Sequence, residues 1–134
     1  SYTLLDTEVL DHGFGTDPQF QAGATLLRRP AHQGVIGIDW TGLPRLTSSL
    51  RVRVVGTRAD LDFTDPDEWQ GRRVTLPAYS TTDVTLEYAL PLQGSDASLR
   101  AGVQNLWNEA YADIYNFPRP GRLLMMGVRY GVTL

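Results

Sequence analysis

The chain contains no cysteine, which excludes disulfides and thiol chemistry. It has two histidines, His12 and His32, and neither has a Ser, Cys or metal-spaced partner, so both read as solvated side chains in or beside loops. Gly13-Phe14-Gly15 lacks the strand-to-helix setting of a phosphate cradle. The formal net charge is −3 and there is no basic run, so nucleic acid is not an expected partner. No catalytic constellation and no cofactor site emerge, and the chain is not read as an enzyme. No apolar run approaches the length of a membrane helix. That excludes helical spans and leaves strand-built ones open, because barrel strands alternate and average to a mild hydropathy.

What the chain does have is period-two alternation, the mark of strands with two different environments on their faces. Its 134 residues are a one-domain length, with an unexceptional 42% hydrophobic and 20% charged. Six strands are expected: residues 1–10, 33–41, 50–60, 79–90, 98–107 and 123–134. In the second, Ile36, Ile38 and Trp40 oppose Val35, Gly37 and Asp39. The fourth sets Thr82, Val84, Leu86, Tyr88 and Leu90 against Asp83, Thr85, Glu87 and Ala89. In the last, Leu124, Met126, Val128 and Tyr130 share one face, with Met125, Gly127 and Arg129 on the other.

The connections alternate long, short, long, short, long. Residues 11–30, 62–78 and 108–121 are long and rich in Gly, Pro or polar residues, whereas Gly42-Leu43-Pro44 and 91–97 are tight turns. Long loops at one end and short turns at the other are the pattern of a transmembrane barrel. On the strands running toward the short turns, Trp40, Tyr88 and Tyr130 each lie near the lower end of the apolar face. Trp107 lies near the upper end of the fifth strand, on the face of Val103. Aromatics at both margins of an apolar band form a membrane girdle. Asp39, Arg51, Arg53, Asp83, Glu87, Arg100, Gln104 and Arg129 point the other way, toward a hydrated lumen or, in a soluble sandwich, toward solvent. The cluster Asp60, Asp62, Asp65, Asp67 and Glu68 is a candidate for a hard cation, but its spacing fits no EF-hand. It reads as a solvated acidic loop.

Asn105-Leu106-Trp107-Asn108, Tyr111 and Tyr115-Asn116-Phe117-Pro118-Arg119-Pro120-Gly121-Arg122 resemble the closing segment of TonB-dependent outer-membrane receptors. Trp107 stands where that family usually has Phe, and Asn116 where it has Gly. Leu27-Arg28-Arg29-Pro30 with His32 resembles a strand entry of the same family, and Gly56 to Asp60 a strand end.

The resemblance implies an all-β fold: an antiparallel up-and-down meander of about six strands, part of a large transmembrane β-barrel. Residues 1–134 are expected to be the C-terminal portion of that barrel, with the plug domain and most of the barrel lying outside this chain. The chain opens SYTLLD, with neither a starting Met nor a signal peptide, and is read as a fragment. The resemblance further implies TonB-dependent uptake of a ferric siderophore or cobalamin across the outer membrane of a Gram-negative bacterium. Its partners would be the lipid bilayer, the receptor's own plug and the TonB complex. Arg28, Trp69, Arg72 and Tyr115, in the long connections, are the expected ligand contacts. The alternative is a soluble all-β module that holds a ligand or glycan with the same loops.

Overall fold

The computed structural model describes residues 1–11, 17–67, 70–92 and 95–132, without the side chains of Ser95 and Val132. In chain order the described strands are β1 (Tyr2–Leu4), β2 (His32–Leu43), β3 (Leu46–Val55), β4 (Arg58–Asp62), β5 (Arg72–Leu76), β6 (Tyr79–Ala89), β7 (Ser95–Gln104), β8 (Ala112–Ile114), β9 (Phe117–Pro118) and β10 (Leu123–Val132). One short 3-10 turn spans Pro18–Phe20. Six strands form a single sheet in the order β1-β2-β3-β6-β7-β10, and β4-β5 and β8-β9 are separate hairpins. Each strand of the large sheet therefore lies beside its neighbours along the chain once the two small hairpins are set aside. That is the expected up-and-down meander, and it is open: β1 and β10 are its edges.

The differences from the sequence reading lie in the connections. β1 is three residues long rather than ten. The third strand stops at Val55, short of its expected end at 60, so the second connection runs over residues 56–78 and carries a hairpin, with Arg58 opposite Leu76 and Asp62 opposite Arg72. The break falls at Gly56, whose N–H donates to the His32 carbonyl at 2.8 Å. A Cβ on Gly56 would sit 3.0 Å from that oxygen, so the close approach favours glycine. Propensity alone does not reveal β4, because its alternation Arg-Ala-Asp-Leu-Asp puts charged side chains where apolar ones are expected.

The chain divides into two compact units. One comprises Ser1–Gly34, Val54–Ser80 and Ala110–Pro120; the other comprises Val35–Arg53, Thr81–Glu109 and Gly121–Leu134. The first contains most of the long connections and a small apolar core of Val9, Val55, Leu61, Leu76 and Tyr79. The second contains most of the sheet, and its one buried hydrophobic side chain among the described residues is Ala97.

Candidate functional site

Two features stand out, one in each unit. In the second unit the pairing register fixes which side chains share a face. Leu86 opposes Ala101, Tyr88 opposes Leu99, and Val84 opposes Val103. Across β7, Met126 opposes Ala101, Val128 opposes Leu99 and Tyr130 opposes Ala97. Directly paired residues in an antiparallel ladder point to the same side, so these side chains make one continuous apolar surface. Its large side chains are mostly exposed, Leu86 by 44%, Val128 by 74% and Met126 by 92%, while Val84 and Val103 are half-buried and Ala97 is buried. A shallow groove of about 610 Å³ runs over it between Leu46, Leu86, Tyr88, Leu99, Met126 and Val128. On the opposite face Glu87 pairs with Arg100, and Arg129 with Ser98. There Glu87 accepts from the Ser98 hydroxyl at 2.9 Å, and Asp39 from Ser49 at 2.5 Å.

Of the aromatics expected at the margins, Tyr88 and Tyr130 lie on that face by register, Trp40 lies on β2, and Trp107, expected within the fifth strand, falls in the turn after β7 ends at Gln104. Trp40, Tyr88, Trp107 and Tyr130 are all exposed, by 42% or more. The Trp40 indole lies over Gly42, where a Cβ would come within 2.4 Å of the ring. Glycine two residues on thus lets the ring lie along the strand toward the Pro44-Arg45 turn. Trp107 donates from Nε1 to the Thr82 hydroxyl at 3.2 Å, a polar tip on an apolar body.

The start of the last connection explains one motif. Asn105 ends β7 with φ of 51°, a left-handed conformation that Asn tolerates better than most residues. Its side chain accepts from the Glu109 N–H at 2.8 Å and donates to the Glu109 carbonyl at 2.9 Å, closing the turn. Its own N–H donates to Asp83 at 2.9 Å.

The second feature is a polar network in the first unit, organised on β4. Asp60 is completely buried. Its Oδ1 accepts from Arg28 Nε at 2.8 Å and from the Leu61 N–H at 2.9 Å, and its Oδ2 accepts from the Tyr115 N–H at 2.7 Å. Burial pushes this carboxyl up, but the Tyr115 and Leu61 amides and the Arg28 guanidinium outweigh it, holding the pKa below the ordinary value. Arg58, two residues earlier on the same face, donates to the Ala112 carbonyl and, at 3.4 Å, to that of Pro77. It lies 5.2 Å from the centre of the Tyr79 ring, which stacks on Tyr111 at 4.2 Å. Asp113 then gathers three partners: the Tyr79 hydroxyl at 2.7 Å, Arg119 Nε at 2.7 Å and Arg58 at 3.7 Å. Arg73 ties the first connection to the hairpin through the carbonyls of Pro18 at 2.9 Å and Thr25 at 2.5 Å.

The acidic loop expected to be solvated is therefore partly interior. Asp60 and Asp62 are buried, and Asp62 is held below its ordinary pKa by the Thr64 hydroxyl and N–H, with Arg72 at 3.6 Å. Of the residues expected to meet ligand, Arg28 and Tyr115 come together on Asp60. Arg72 stands apart, at an open polar cavity of about 580 Å³ lined also by Gln21, Asp67, Gln70 and Arg73. Trp69 lies outside the described residues. The sequence reading did not single out Tyr79 or Asp113, and it met Asn105 and Arg58 only as members of stretches that resemble family motifs. For Asp60 the usable signal was its place two residues after Arg58 in a stretch that already resembled a family motif.

A family described as "TonB dependent receptor-like, beta-barrel" matches residues 1–106. The segment with the strongest motif resemblance, 105–122, lies almost wholly beyond that match, so motif and family match cover different parts of the chain. The fold is similar to that of BauA, the ferric preacinetobactin receptor from Acinetobacter baumannii, with a TM-score of 0.73 and 24% sequence identity. The alignment covers 96% of this chain and 18% of that receptor. With an open six-stranded meander and a family match over most of its length, this chain belongs to the TonB-dependent receptor β-barrel family.

Proposed function

We propose that residues 1–134 are a C-terminal stretch of barrel wall in a Gram-negative outer-membrane receptor that takes up a scarce ligand, such as a ferric siderophore or cobalamin. The observation that carries this reading is the apolar face of β6, β7 and β10, which is continuous in register and exposed. A surface of this kind needs an apolar environment, and an open sheet edge such as β10 needs a neighbouring strand. Both needs are met if lipid covers the face and further strands close the barrel. Trp40, Tyr88, Trp107 and Tyr130 then sit at the headgroup margins. The Asp39, Glu87 and Arg100 face lines the lumen, against the receptor's plug. The TonB complex supplies the energy, acting through parts of the receptor beyond this chain. The long connections face outward, and ligand meets them at residues such as Arg28, Trp69, Arg72 and Tyr115. Arg72 is the best placed, with an exposed side chain at the polar cavity.

The test is sidedness. In intact cells making the whole receptor, single cysteines at Asp67 and Asn116 are expected to react with a membrane-impermeant thiol reagent, and one at Ser95 is not. Labelling at Ser95 with silence at Asp67 discards the orientation.

A further inference from the structure

The three stretches that resemble family motifs lie far apart in sequence, yet within the first unit they meet at one side chain. We propose that Asp60 is a positioning residue that latches the three long connections into a single body, each carboxylate oxygen holding a different one. Oδ1 takes Arg28, 32 residues away in the first connection, and Oδ2 takes the Tyr115 amide, 55 residues away in the third. Asp60 itself belongs to the second. A carboxylate that merely stabilised its own hairpin would find its donors there, and only the Leu61 amide is local.

Three further observations point the same way. The carboxylate is completely buried, so water does not compete for its lone pairs. Arg28 is held at φ of 57°, a left-handed backbone that a non-glycine residue keeps only where its surroundings fix it. They do so here: its N–H donates to the Ala59 carbonyl at 2.7 Å, and Leu27 bridges Ala59. Asparagine is not an adequate replacement at position 60. It offers one acceptor oxygen, and its amide group would face a donor where Asp60 presents a second acceptor. The latch holds as a structural statement whatever the protein transports. Its consequence for uptake rests on the receptor reading: ligand that displaces one connection would disturb all three.

The experiment uses the whole membrane protein that carries this chain, with one reporter cysteine per connection. Val9→Cys and Leu76→Cys sit at buried positions, and Ala112→Cys at a half-buried one. These 134 residues contain no cysteine of their own to interfere. Labelling rates are measured with a membrane-permeant and an impermeant maleimide. Asp60→Asn is expected to raise the rate about tenfold at all three reporters, because the connections open together. A rise confined to the Leu76 reporter, or at none, overturns the latch. If Asp60→Asn does not reach the membrane, Arg28→Gln replaces it, and an unchanged rate at the Val9 reporter then overturns the proposal. Should all three reporters respond to the permeant reagent alone, the latch stands and the assignment of the connections to the outer surface fails.

Discussion

The two units of this chain place polar and apolar side chains by opposite rules. In the first, Val9, Leu61 and Leu76 are buried together with Arg58, Asp60 and Asp62. In the second, Leu86, Leu124, Met126 and Val128 are exposed, while Ser98 and Asn105 are buried. The first unit is thus a small apolar core with a hydrogen-bonded polar network inside it. The second owes its order to the backbone ladder of the sheet, because its large side chains bury little against one another. Apolar burial cannot be what stabilises it as it stands, so its apolar face is the part that needs another phase. The largest expected effect breaks that contrast directly. Leu86→Arg should cost the assembled receptor about 2–4 kcal/mol if the face meets lipid, and Glu87→Gln next to it should be mild. Unfolding in lipid vesicles measures both. Similar small losses at the two positions would put the same solvent on both sides of the sheet.

In the first unit the sensitive atoms are polar. Arg58→Met nearly keeps the volume and removes the donors to Ala112 and Pro77 and the most distant of the named partners of Asp113. The expected loss is about 1.5–3 kcal/mol, in the range for hydrogen bonds that involve a charged group. Arg58→Lys should not restore it, since an ammonium lacks the planar fork that serves two carbonyls while lying over the Tyr79 ring. All 12 basic residues of the chain are arginine. Full stability in Arg58→Lys would mean that only the charge matters there.

The network also predicts a direction with pH. The Asp60 carboxyl is held below its ordinary value in the folded protein, and Asp62 likewise. Unfolded, both titrate near the ordinary aspartate value of about 3.9. Their stabilisation is therefore fully present above that pH and is lost as pH falls through the lower folded values. The charged groups paired with them are Arg28 on Asp60 and Arg72 on Asp62. Labelling at the Val9 reporter, taken relative to a fully exposed cysteine at the same pH to remove the thiolate dependence of the reaction, should be flat from neutral pH down to about 4 and rise below it. Asp60→Asn should remove most of that rise. An upturn near pH 6 would point to a different group.

The second unit was far more legible in sequence than the first, for a physical reason. Period-two alternation is a local signal, and β6 and β10 carry it over ten or more residues, so their faces could be assigned residue by residue. The two short turns were also visible, but their bounds were not: Gly42 and Leu43, read as turn, belong to β2, and residues 95–97, read as turn, open β7. The first unit is built from contacts across 30 or more residues, as between Arg28 and Asp60, and such contacts leave no periodic trace. β4 was visible only as the expected end of the third strand and not as a strand of its own, because Arg58, Asp60 and Asp62 occupy buried positions where apolar residues would have announced one. Asp60 read as one more acid in a solvated loop because its donors leave no mark in the sequence around it: an arginine 32 residues away and two backbone amides. The family resemblance marked the right stretches without showing that they touch.

The smallest expected effect bears on the face that points away from the apolar surface. Arg129 and Asp96 approach to 3.8 Å there, with side chains 77% and 73% exposed. An ion pair so open to water gains little, because the high dielectric weakens the attraction and holding two long side chains in place costs entropy. Arg129→Gln is therefore expected to change stability by less than about 0.5 kcal/mol, with salt having little further effect. The same substitution can also detect what covers that face in the whole receptor. If a plug domain packs against β10 and excludes water, the pair is desolvated and removing one partner leaves a carboxylate without its counter-charge. The loss would then rise to about 3 kcal/mol or more. A small loss in the receptor means that Arg129 and Asp96 stand in a hydrated lumen. A large loss that disappears when the plug is deleted places the plug against this strand.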